Sequence, residues 1–440
     1  MIFLYLKTKK QKIFFLLCIV LQILFTFSIY QSNDFFIEIL TKKKIILLIF
    51  FQFLILFIFF SVFFKKYFFL ANFFFSLMLI NFLTTPFFSL QPSFITLKPN
   101  IKKQIIINTN VMPGFNDISK ISTDYKGFRT TKKINYNSKD KNTYRVFMIG
   151  GSTMEQIFLD DNKTSSALIE EMLESAIKSK KIEVINAGVS GLRSEHHYAT
   201  FTQILKYTPD LVIFMMGIND MNRDINEFVK NDETKKKEVS SVTTMPLEFT
   251  NIKRSFDFSK SLLWMSFKNL SDIIIFSFYE KDLNFTNSLQ YEDGEYYSKQ
   301  NNSLTRKIKK KINTEEVSVQ YQFWVDRIIK LCNLNKNTKC LFVNQASAYK
   351  DNVSDNLKKL FWMTPPNQNY TLELDNLIKL MDLYNNYLIS HSEINKINNC
   401  DIANFLPPTT DYFYDDNHFN ELGAMLVAQK IFKCIDLTKY

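Results

Sequence analysis

No Cys-x-x-Cys pair occurs anywhere in the 440 residues. Its absence argues against the common zinc-finger and dithiol-redox signatures. The four histidines and the carboxylates form no cluster with metal-ligand spacing, so no metal or other cofactor is expected. A basic helix interleaved with aromatics is also missing. The formal net charge of +11 is spread as lysines among Asn and Ser, which does not point to a nucleic-acid partner. Cysteine itself is scarce. Cys18 lies in the apolar N-terminus, and Cys332, Cys340, Cys400 and Cys434 lie in the polar remainder. That even number permits two disulfides in an oxidising compartment, and free buried thiols fit equally well. Cys332 with Cys340 would close a helix-to-strand loop. Cys400 with Cys434 would tie the last helix to a sheet.

What the chain does have is a concentration of Phe, Leu and Ile in its first ninety positions. Three apolar runs, Ile13–Tyr30, Ile45–Phe64 and Tyr67–Leu90, are each near the ~20 residues that cross a bilayer as helix. The first two carry no charge, and the third carries Asn72 and Asn81. A cleaved signal peptide would have a shorter apolar core without two more runs behind it. Residues 1–92 therefore read as a membrane segment of about three transmembrane helices, with lipid as a partner. With three spans and the N-terminus inside, Lys7, Lys9, Lys10, Lys12, Lys65 and Lys66 are cytoplasmic, against Lys42, Lys43 and Lys44 in the outer loop and Lys98, Lys102 and Lys103 after the last span, and an extracytoplasmic remainder is the expectation. Two spans instead of three would reverse that placement.

Residues 93–140 read as an irregular lead-in with short strands, Asp124–Arg129 among them, and 141–440 as one α/β domain. Short apolar runs ending at glycine or asparagine read as buried strands: Tyr144–Ile149, Ile182–Ile185, Leu211–Met216 and Cys340–Asn344, with a fifth near Asp401–Phe405. Helical periodicity covers Ser165–Ile177, Glu195–Leu205, Val317–Leu331, Leu372–Ser390 and Asn420–Cys434. The alternation predicts a parallel sheet with helices on both faces. It is broken by 222–316, rich in Lys, Asn and Ser, which reads as an insertion. Its aromatic stretch Ser261–Tyr279 reads as a helix capping the core, with a lid or interfacial helix as alternatives.

Ligands of open α/β sheets bind at the carboxyl ends of the strands. Three loops fall there: Gly150-Gly151-Ser152-Thr153, Asn186-Ala187-Gly188-Val189-Ser190-Gly191, and Gly217-Ile218-Asn219-Asp220. Asp415-Asp416-Asn417-His418 precedes the final helix. Serine acyl transfer needs a base beside the hydroxyl, a carboxylate behind the base, and donors for an oxyanion. Ser152 is the candidate nucleophile, His418 the base and Asp415 its orienting carboxylate, with Asp416 the alternative. The Ser152 N–H, the Gly188 N–H and the Asn219 amide are the candidate oxyanion donors. Each piece alone has a plain structural reading as a turn or a cap. Together, in order, they supply a complete serine mechanism. His196, His197 and His391 read as structural or exposed.

These blocks resemble the SGNH (GDSL-type) hydrolase superfamily, matching at Gly150–Thr153, Gly188, Gly217–Asp220 and Asp415-x-x-His418, with Gly151 where the family's name motif has Asp. The resemblance implies a flavodoxin-like three-layer α/β/α sandwich with a five-stranded parallel sheet, and the same triad and oxyanion hole. Asp124–Arg129 and Phe342–Gln345 are similar to segments of bacterial membrane-associated members, whose company implies esters on cell-surface glycans. The expected activity is an esterase removing acyl groups, acetyl foremost, from a carbohydrate or small ester. An O-acyltransferase working with a membrane acyltransferase or polysaccharide-assembly partner, and an inactive glycan-binding scaffold, are the competing readings. Arg129 and Arg193 are candidates to meet an anionic glycan.

Overall fold

Thr143–Gly150 is buried along its whole length, as a strand with neighbours on both edges and helices on both faces must be. It lies inside a five-stranded sheet in a computed structural model that describes residues 94–235 and 303–438, apart from 110, 111, 117, 363, 364, 366 and 367. The elements run β1 Lys102–Ile106, β2 Ile118–Ser122, β3 Thr143–Gly150, α1 Ser152–Glu155, α2 Ser165–Ala176, β4 Lys181–Asn186, α3 Ser194–Ile204 and β5 Leu211–Met215. Then come α4 Ile218–Lys235, β6 Ile308–Lys310, α5 Val319–Leu334, β7 Lys339–Val343, α6 Asp355–Lys358, β8 Tyr370–Leu372, α7 Leu374–Ile394, β9 Asn398–Cys400 and α8 Glu421–Cys434.

The main sheet has the order β4-β3-β5-β7-β9, and every pairing is parallel. The order reverses between β3 and β5, which makes the crevice at their carboxyl ends the natural ligand site. Helices α2 and α8 pack together, while α3 packs on α5 and α7 on both α4 and α5. Right-handed crossovers put these two groups on opposite faces, so the three-layer expectation holds. Side chains set the helix starts: Thr164 accepts from Ala167 N, Ser318 from Tyr321 N, and Asn420 from Gly423 N.

The structure differs from the sequence reading in four places. The fifth strand is Asn398–Cys400, just before the expected stretch, because pairing with Leu341–Val343 creates it. The expected short strands of the lead-in form as an antiparallel pair, β1–β2, but Asp124–Arg129 is a turn and not one of them. The start of the expected insertion continues helix α4 to Lys235, and its end supplies β6, which pairs with β8. Leu372, expected to open a helix, closes β8 instead. The three apolar runs and Ser261–Tyr279 lie outside the described residues. Among the described residues, no helix is long and apolar enough to cross a membrane.

Both cysteine pairs are closed as disulfides, Cys332–Cys340 and Cys400–Cys434. A buried ion pair secures the amino end of β3. Arg145 Nε donates to Glu183 Oε2 at 2.8 Å, and its other nitrogens donate to the carbonyls of Tyr207 and Asn135.

Candidate active site

Strand β3 delivers Ser152 to the sheet edge through the Gly150-Gly151 turn. A Cβ on Gly151 would lie 2.4 Å from Asn219 Nδ2, so the side-chain-free backbone lets the loop after β3 touch the loop after β5. The Asn219 amide occupies the space that a side chain at position 151 would take.

Three side chains from distant parts of the chain form one relay. His418 Nε2 lies 2.6 Å from Ser152 Oγ, and His418 Nδ1 lies 2.7 Å from Asp415 Oδ2. Asp415 Oδ1 accepts the backbone N–H groups of Asn417 (2.9 Å) and His418 (2.8 Å), so the turn holds its own carboxylate. The Trp362 indole N–H donates to Oδ2 at 3.1 Å. Asp416, the alternative partner, faces elsewhere and accepts the Tyr349 hydroxyl at 2.9 Å. Hence Asp415 is the carboxylate on the histidine.

The electrostatics suit a base. Burial alone would raise Asp415, but the His418 charge and the hydrogen bonds from the imidazole and the turn outweigh it, holding the carboxyl below its usual range. Burial alone would lower His418. The Asp415 charge and hydrogen bond, with Asp416 and Glu155 behind them, lift it above the ordinary histidine value. The imidazole also stacks on Tyr414, with rings 5.5 Å apart and 12° from parallel. Tyr414 belongs to an apolar cluster with Ile105, Ile107, Met112 and Ile121. The lead-in hairpin therefore backs the histidine.

The oxyanion expectation needs one correction. Gly188 N–H donates to Asn186 Oδ1 at 2.8 Å, and a Cβ there would meet the backbone of α1 at 2.5 Å. Gly188 is a packing glycine with its donor already used. Asn219 donates one amide proton to the Leu192 carbonyl at 2.9 Å. Gly191, further along the same loop, has φ +75° and open space where a Cβ would be. Among the described residues, no hydrogen bond engages the backbone N–H of Ser152 or Gly191.

Four supporting residues escaped the sequence reading. Glu155, one turn after Ser152, accepts both the N–H and the hydroxyl of Ser190, joining the first two loops. Burial raises its carboxyl, against those bonds and the nearby Arg129 and His418 charges. Asn186 ties the same loops by donating to the Met154 carbonyl at 2.7 Å. Trp362 and Tyr414 touch the acid and the base. The spacing of Glu155 from Ser152 was the one signal available for any of them. Arg129, a candidate glycan contact, is buried and committed to the carbonyls of Glu155, Gln156 and Leu159 and to Asp161. Arg193 pairs with Glu195 at 2.7 Å. His197 is buried and pushed down to about 3 by desolvation, and His391 stacks on Tyr387.

A parallel α/β sheet with a Ser–His–Asp relay at its strand ends is the frame of a serine-type hydrolase. The chain matches the GDSL-like lipase/acylhydrolase family over residues 146–431, more than half its length, and it belongs to that family. It is an enzyme that hydrolyses ester bonds. Among solved structures it is similar to an alpha/beta hydrolase from the metagenome of Lake Arreo, Spain, with 12% identity, 66% of this chain and 94% of that chain covered, and a TM-score of 0.35. It is also similar to an acetylxylan esterase from Geobacillus stearothermophilus, with 12% identity, 66% and 93% covered, and a TM-score of 0.34. No curated protein matches the chain.

Proposed function

We propose that this enzyme removes short acyl groups, acetyl foremost, from esters on a carbohydrate outside the cytoplasm, through an acyl-Ser152 intermediate. The observation that carries the reading is the relay from Ser152 Oγ to His418 Nε2 at 2.6 Å and from His418 Nδ1 to Asp415 at 2.7 Å. His418 takes the hydroxyl proton as Oγ attacks the ester carbonyl, and Asp415 stabilises the imidazolium. The oxyanion is met by the Ser152 N–H and the Asn219 amide, with the Gly191 N–H replacing Gly188 as the second backbone donor. Collapse expels the sugar alkoxide, which leaves with the proton from His418. Water, deprotonated by the same imidazole, then releases the acid from Ser152.

The carbohydrate assignment is supported by the resemblance of Asp124–Arg129 to membrane-associated relatives. The setting is supported by two disulfides, which persist in oxidising compartments. Residues 1–92 act as the membrane anchor in this reading. A membrane acyltransferase or polysaccharide-assembly protein is the partner such an anchor would serve.

The test is acetate release from acetylated polysaccharides by the full-length chain and its Ser152→Ala variant. Ser152-dependent release is expected. If an activated acyl donor and a bare glycan give acyl transfer faster than hydrolysis, the enzyme is an O-acyltransferase. A folded protein with no turnover on any ester would return the scaffold reading.

A further inference from the structure

Asp415 is wholly buried, and its carboxylate is fully occupied. Two backbone N–H groups fill Oδ1, while His418 Nδ1 and Trp362 Nε1 share Oδ2. Those four donors match the roughly four acceptor positions that a carboxylate offers. Three of the bonds come from the 415–418 turn itself. The fourth crosses from a segment 53 residues earlier.

That segment is clipped in place by the carboxyl-terminal end of the expected insertion. Arg306 donates Nη1 to the carbonyls of Pro365 (2.6 Å) and Tyr370 (2.9 Å), and Nη2 to the carbonyl of Trp362 itself (3.1 Å). Ser303 N–H donates to the Phe361 carbonyl at 2.7 Å. The β6–β8 pairing continues the attachment over Ile308–Lys310 and Tyr370–Leu372.

We propose that Trp362 is a positioning residue for the Asp415–His418 pair and that the Arg306 clip holds it there, so that the carboxyl-terminal end of the expected insertion tunes the catalytic base. The inference rests on the reading of Ser152 as nucleophile. The indole N–H draws on the charge of the same oxygen that pairs with His418. Without it, that oxygen serves the imidazole alone. Among the described residues, the carboxylate also loses its one anchor outside its own turn. The imidazolium is then held more tightly, and the base titrates at higher pH. The charged groups around His418 are Asp415, Asp416 and Glu155, with Arg129 beside Glu155 and Arg306 beside Asp416. Trp362→Phe leaves all of them in place, so a movement of the pH profile reports the lost N–H. A purely packing role would not move it.

The experiment follows fluorophosphonate labelling of Ser152 in the full-length chain as a function of pH, read by peptide mass spectrometry. In that step Oγ bonds to phosphorus, fluoride leaves, and His418 takes the hydroxyl proton. Trp362→Phe is expected to slow labelling about ten-fold at its plateau and to move the acid limb up by roughly half a pH unit or more. Arg306→Lys keeps the charge but not the forked bonds, and it should move the limb the same way by less. An unmoved limb overturns the inference whatever the plateau, since a slower plateau alone is what lost packing would give. If Trp362→Phe does not fold, Arg306→Lys decides, and an unmoved limb there overturns it equally. A folded wild type that takes no label at Ser152 would overturn the nucleophile reading instead.

Discussion

Replacing Asp415 by Asn separates the carboxylate's charge from its shape. The carboxylate accepts four donors, two on each oxygen. A carboxamide has one acceptor oxygen and a donating NH2. If the oxygen stays on the backbone N–H groups, the NH2 confronts the Trp362 indole N–H and the His418 ring. The indole then loses its acceptor, at a cost of about 1–3 kcal/mol in stability. His418 Nδ1 must become the acceptor, which puts the ring proton on Nε2, facing Ser152 Oγ. In that tautomer it cannot take the hydroxyl proton. Turning the amide over restores the tautomer but strands two buried N–H groups. The wrong tautomer costs roughly 10⁴-fold in turnover where the same relay has been tested in other serine enzymes, which is about 5.4 kcal/mol of barrier. The acid limb should also fall, because the Asp415 charge is the largest influence raising His418. Hydrolysis of an aryl acetate from pH 5 to 10, with a urea unfolding curve for each variant, measures both effects. A variant within ten-fold of wild type would refute the reasoning. So would an Asp416→Asn variant that proved the worse of the two.

Loss of the Cys400–Cys434 bridge, which spans 34 residues, should lower stability by about 4 kcal/mol, against about 2.5 for Cys332–Cys340, which spans 8. Equal unfolding midpoints for the two Cys→Ser variants would contradict that ranking. Arg145→Met strands the buried Glu183 with Lys181 as its remaining cation, and should cost about 3 kcal/mol or more. An unchanged urea midpoint would show that the pair contributes nothing.

The central strands were legible because a strand buried on both faces must be a continuous apolar run, as Tyr144–Ile149 and Leu211–Met215 are. The relay was legible because its chemistry demands particular residue types at strand ends. The edge strand Asn398–Cys400 was not, since Asn-Asn-Cys carries no pattern and exists through pairing with β7. Gly188 was misread because the bond from its N–H to the Asn186 side chain depends on turn geometry, and a second glycine three residues on offered the same composition. Trp362 gave no signal at all. Its indole meets Asp415 from a loop that the β6–β8 pairing and Arg306 hold in place, and none of those contacts has a sequence pattern.

The account stands on a covalent intermediate at Ser152, and the most direct measurement is to trap it. Acid-quenching the full-length enzyme during turnover of an aryl acetate should leave one acetyl group on the peptide carrying Ser152, after a burst of released phenol. Ser152→Ala should show neither. Hydrolysis that survives in Ser152→Ala, or an acetyl found on another residue, would contradict the account.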